Sequence, residues 1–84
     1  MAIDPAQVLE SRTVSVGDRT WRAQCVGAQV LAGWRWVHLA LLGAPNYKVS
    51  LKISPNADNH DTVRALEWWL VSPGRADGDV IEVM

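Results

Sequence analysis

Cys25 and His38 are the residues whose types suit nucleophilic chemistry: a thiol, and an imidazole able to take its proton. Such a pair also needs a group to orient the base and donors for an oxyanion, and no motif in the sequence offers either. Cysteine on an alternating strand behaves as a small buried hydrophobe. The expectation is that neither residue is catalytic and that the chain is not an enzyme. A low-pKa, reactive Cys25 thiol would overturn it.

Two acidic clusters suit metal ligation by type but not by spacing. Asp58-Asn59-His60-Asp61 offers oxygen and nitrogen donors, yet adjacent residues converge poorly on one ion, and the same residue types satisfy the free amides of a helix N-terminus. Capping is the expected use. Asp77-Gly78-Asp79 has part of a calcium loop's pattern without the remaining ligand positions, and reads as a turn. With one cysteine there is no intramolecular disulfide and no multi-cysteine metal site. No Gly-rich phosphate loop, nucleophile elbow or helix-borne histidine pair occurs. No cofactor or metal is expected.

The remaining candidate is a contact surface built from Trp34, Trp36, His38, Lys48, Lys52 and Arg22. Aromatic and basic side chains on one sheet face could hold a protein partner or a second copy, or stack the bases of a single-stranded nucleic acid. Whether these residues share a face depends on one loop. Trp34–Leu42 and Tyr47–Ile53 are strand-length apolar runs flanking Gly43-Ala44-Pro45-Asn46, the pattern of a β-hairpin. Successive strand side chains alternate faces, so Tyr47, Val49, Leu51 and Ile53 face the core and Lys48, Ser50 and Lys52 face out. An even loop, with Leu42 opposite Tyr47, buries Trp34, Trp36 and His38. An odd loop, with Leu41 opposite Tyr47, buries Val37, Leu39 and Leu41 and lays the tryptophans beside the lysines. The sequence leaves both registers open.

The other elements follow from local signals. Asp4-Pro5 suits a helix start leading into Ala6-Gln7-Val8-Leu9-Glu10, with only Val8 and Leu9 to anchor it. Arg12–Val16 and Arg19–Val26 alternate around Gly17-Asp18, a two-residue turn that places Val14 opposite Trp21. Thr13, Ser15, Thr20, Arg22 and Gln24 then point outward together. Gly27–Gly33 reads as a glycine-bounded connection. Asp58, or Asn59, caps a helix running to about Val71, where Ser72-Pro73-Gly74 ends it. Val63, Leu66, Trp69 and Leu70 fall on one stripe of that helix, with Trp68 on its flank, partly covered.

The fold class expected is α+β: one domain over residues 1–84, with a four-stranded, mainly antiparallel sheet of two β-hairpins and one principal helix on one face. A short N-terminal helix and a C-terminal edge strand at Val80–Val83 are optional additions. A domain this small buries about 60–65% of its unfolded surface around a single core. Half the residues are hydrophobic (49%) and a fifth charged (20%), which argues against disorder. A net charge of -1 excludes a strong electrostatic footprint for nucleic acid. Met1-Ala2-Ile3-Asp4-Pro5 lacks the basic start and apolar stretch of a signal peptide, and no run is long enough to span a bilayer. A soluble, cytoplasmic location without membrane contact is the expectation. The lone helix leaves one sheet face uncovered. Five tryptophans are more than one core of this size is expected to bury. The expected function is therefore a small binding or regulatory module, acting through protein contact or self-association on that face. Single-stranded nucleic-acid binding there is the alternative.

Overall fold

Turn chemistry fixes both ends of the first hairpins. In the computed structural model, which describes residues 5–84, Gly17 takes a left-handed φ of 62° and closes β1 (Thr13–Val16) onto β2 (Arg19–Leu31). Val16 pairs with Arg19 and Val14 with Trp21, as the alternation requires. Before them, α1 is a single helical turn over Pro5–Leu9, held by the fully buried Leu9. The expected cap, Asp4, lies outside the described residues.

β2 is longer than the sequence pattern implies. The segment from Gly27 is not a connection: the strand continues to Leu31 and turns at Ala32-Gly33 into β3 (Trp34–Leu42). Both turn residues have positive φ, 53° and 82°, the backbone of a type I′ hairpin turn. Ala32 in place of the usual asparagine hides that turn from sequence inspection. A bulge between Cys25 and Gly27 shifts the register by one, with Val26 as the extra residue. Beyond it Ala28, Gln29, Val30 and Leu31 are all exposed, so no alternation marks the strand.

β3 pairs antiparallel with β4 (Tyr47–Ile53), and the chain then crosses over through α2 (Asn59–Val71) to β5 (Val80–Val83). β5 lies parallel to β4, the arrangement a helical crossover imposes. β1–β4 match the expected antiparallel pair of hairpins, but the sheet as a whole is mixed and five-stranded, in the order β1-β2-β3-β4-β5. It curls around α2, which touches both β1 and β5. The core lies in that curl, with Trp21, Leu39, Leu41, Leu51 and Ile53 facing Leu66 and Leu70 of the helix.

α2 begins in a reciprocal capping box. The Asp58 carboxylate accepts the Asp61 N–H at 2.8 Å, and the Asp61 carboxylate accepts the Asp58 N–H at 3.2 Å. The acidic residues of this stretch thus serve the helix end. Leu66 and Leu70 are buried as the stripe requires, Val63 and Trp69 are half-buried, and Thr62 joins the buried face with its hydroxyl donating to the Asp58 carbonyl at 3.0 Å. Trp68 is 69% exposed rather than partly covered. Among the described residues, no helix is long and apolar enough to cross a membrane.

Candidate functional site

The register of the β3–β4 hairpin is odd. Leu41 stands opposite Tyr47, Leu39 opposite Val49 and Val37 opposite Leu51, and all but the half-buried Tyr47 are buried. Trp36 consequently faces Lys52 across the strands, and His38 faces Ser50, on the side away from α2. The loop that sets this register is fastened to the core. The Trp21 indole N–H donates to the Pro45 carbonyl at 2.8 Å, and Asn46 accepts the Gly43 N–H at 2.8 Å. Gly43 lies directly on the Trp21 ring, where a side chain would collide with its Cδ1. Only glycine allows the loop to fold over that indole.

On the uncovered face, Trp34, Trp36, His38 and Lys52 form one continuous group. The Lys52 ammonium lies 4.6 Å from the Trp34 ring centre and 5.9 Å from that of Trp36, within cation–π range of both. Trp36 and His38 stack with centroids 6.3 Å apart. The His38 Nδ1 shares a 2.7 Å hydrogen bond with the Ser50 hydroxyl. Both tryptophans are half-exposed, held upright by these contacts rather than buried. Ser50 joins the group through parity alone, since it is the residue opposite His38. Glu82 and Val80 extend the face onto β5, opposite Lys52 and Ser50.

Lys48 borders the aromatic group, whereas Arg22 stands apart from it. Lys48 sits opposite Ala40 and borders a shallow pocket of about 300 Å³ lined by Val26, His38, Ala40, Ser50 and Gly78. Arg22 pairs with Leu42 at the far end of β3 and reaches toward Ser11 at 3.5 Å. Leu42 lies eight positions along the strand from Trp34, roughly 26 Å at the rise of an extended chain. Arg22 therefore shares the face without sharing the site.

Cys25 and His38 do not form a nucleophile and base. The thiol donates to the Gly27 carbonyl at 3.5 Å, while the imidazole is bonded to Ser50. The His38–Ser50 pair has no carboxylate among its hydrogen-bond partners in the described residues.

The rim beside β4 is held by a separate polar belt. Asp79 accepts the Trp69 indole N–H at 2.9 Å and the Ala76 N–H at 2.9 Å. The indole bond first, and the backbone bond second, hold its carboxyl below the ordinary carboxylate range, against a small opposing effect of desolvation. Trp69 meets Tyr47 edge-on at 5.1 Å, and the Arg75 Nε donates to the Tyr47 hydroxyl at 3.1 Å. Asp77 accepts the Lys48 N–H at 2.6 Å, and Gly78 donates to the Lys48 carbonyl at 2.7 Å. The Asp77-Gly78-Asp79 turn thus ties the crossover to β4. Compared with known proteins, the chain matches no protein-family model, and no characterised protein or solved structure is significantly similar to it.

Proposed function

We propose that this chain is a binding module that engages a protein partner through its helix-free sheet face, with Trp34 and Trp36 as anchors. The observation that carries the reading is the odd register, which leaves two tryptophans and His38 half-exposed on a sheet face that no helix covers among the described residues. Rigid aromatic side chains beside a basic one are the usual anchors of protein interfaces.

Nucleic acid fits the same face less well. Lys52 already lies on the Trp34 ring, where a base would have to stack, and Glu82 stands next to Lys52. Arg22 is too distant to continue a phosphate track past the tryptophans.

A photo-crosslinking residue at Lys48, on the border of the site, tests the proposal in living cells. The expected result is a discrete protein adduct that disappears when Trp36→Ala is added. Adducts to nucleic acid, with binding that falls steeply as salt rises, would favour the alternative. No adduct, or one indifferent to Trp36→Ala, would reject the face as a binding site.

A further inference from the structure

β2 has an open edge beyond its pairing with β1. β1 pairs with β2 only at Arg19–Arg22, and the chain around it stays in contact no further than Cys25, whose N–H donates to the Glu10 carboxylate at 2.8 Å. From Val26 to Leu31 the side of β2 away from β3 has no strand beside it among the described residues. A two-residue hairpin closes on a hydrogen-bonded pair, here Leu31 with Trp34. Gln29 and Gly27 then also bond toward β3, and the N–H and C=O groups of Ala28 and Val30 aim outward. Past the bulge at Val26 the segment carries no charge, no proline and no second bulge, the usual devices that keep a strand edge from pairing. Its apolar side chains are open: Val26 is 63% exposed, Val30 72% and Leu31 59%.

We infer that this edge is the contact with a second copy of the same chain, joined antiparallel about a two-fold axis at Gln29. The sequence is self-complementary in size under that symmetry. Ala28 falls opposite the partner's Val30, Gly27 opposite the partner's Leu31, and Gln29 opposite the partner's Gln29. The outward-bonding residues Ala28 and Val30 then meet only one another, so every intersubunit hydrogen bond is satisfied. Length agrees as well, because the partner's turn at Ala32-Gly33 ends beside Cys25, where the edge ceases to be open. An isologous pairing uses the edge up and closes, whereas pairing with the outer edge of β5 would build an open chain. β5 is short and carries Glu82, which opposes that route. The outcome is a continuous ten-stranded sheet whose two aromatic faces lie side by side. This contact is independent of any partner held by Trp34 and Trp36.

Analytical ultracentrifugation over a wide concentration range tests it on the intact chain. The expected result is a reversible monomer–dimer equilibrium that Val30→Lys shifts to monomer by at least tenfold in dissociation constant. Ala28→Pro, which deletes one outward N–H, does the same, and neither changes the thermal midpoint of the diluted monomer. In a Cys25→Ser background, Gln29→Cys gives an intermolecular disulfide, because Gln29 and its symmetry mate form the close, non-hydrogen-bonded pair. A chain that stays monomeric at the highest attainable concentration overturns the inference. So do a dimer that survives both edge variants, one lost instead in Trp36→Ala, and assembly into species larger than two. Crosslinking at Lys48 reads the sheet face alone, so failure here leaves the proposed binding site standing.

Discussion

Leu41 pairs with Tyr47 across β3 and β4, and that single register places Trp36 beside Lys52 on the outside of the sheet while Leu41 is fully buried. Tryptophans in one small domain thereby divide into two kinds. Trp21 is a core residue, and Trp34 and Trp36 are surface residues. Trp36→Ala is expected to leave the chain folded with a loss of stability of at most about 1 kcal/mol, as for substitutions away from the core. Trp21→Ala is expected to cost about 3–5 kcal/mol, the range for emptying a buried aromatic site. Urea denaturation followed by circular dichroism separates the two; equal losses would place Trp36 in the core.

Gly43 determines whether that register is reachable. A methyl group there would sit 2.9 Å from the Thr20 carbonyl and against the Trp21 ring, whose Nε1 would be 2.8 Å away. Gly43→Ala should therefore destabilise the fold by about 1–3 kcal/mol through overpacking, and the Trp21 indole N–H signal should shift as its bond to Pro45 breaks. A neutral Gly43→Ala with an unmoved indole signal would show that the loop does not depend on Trp21.

Asp79 makes the crossover sensitive to acid. Its folded-state pKa is lowered, chiefly by the Trp69 indole bond and next by the Ala76 N–H. A carboxylate of this kind stabilises the fold above its unfolded pKa, and that contribution is lost as the pH falls through the folded value. The Trp69 indole resonance should hold steady from neutral pH to about pH 4, the ordinary aspartate range, and move only below it. In Asp79→Asn that acid-side movement should vanish. A shift at higher pH would mean that the bond raises the pKa.

Ala32 sits at a φ of 53°, a region disfavoured for any residue with a Cβ. Asparagine tolerates that backbone and is favoured at the first position of such turns. Ala32→Asn is expected to stabilise the domain by about 0.5–1 kcal/mol and to slow amide exchange at the tip of the β2–β3 hairpin. No gain would mean that the turn relaxes to another conformation in solution.

Asp58 caps α2 from both directions of its box, accepting the Asp61 N–H while its own N–H is held by Asp61. Asp58→Ala should cost about 1 kcal/mol and Asp58→Asn much less, since the amide oxygen still accepts. Comparable losses in the two variants would assign the effect to charge instead of the hydrogen bond.

Local chemistry was readable in the residues themselves. Gly17-Asp18 dictates a two-residue turn, alternation pairs Val14 with Trp21, and Asp58 with Asp61 marks the helix start, because each of these depends on neighbours a few positions apart. The same holds for the outward face of Lys48, Ser50 and Lys52, since burying those lysines unpaired is too costly. The tertiary structure decided what depends on distant residues. The loop after Leu41 admits two registers until Trp21, twenty residues earlier, bonds Pro45 and fixes one of them. The strand from Gly27 to Leu31 has no alternating pattern because Ala28, Gln29, Val30 and Leu31 are all exposed, so only its pairing with β3 reveals it. Val80–Val83 becomes a parallel fifth strand only because α2 carries the chain back across the sheet, and a four-residue run contains nothing that specifies direction. Turns, caps and alternation follow from near neighbours, but the face a side chain occupies is set by the contact that locks the register.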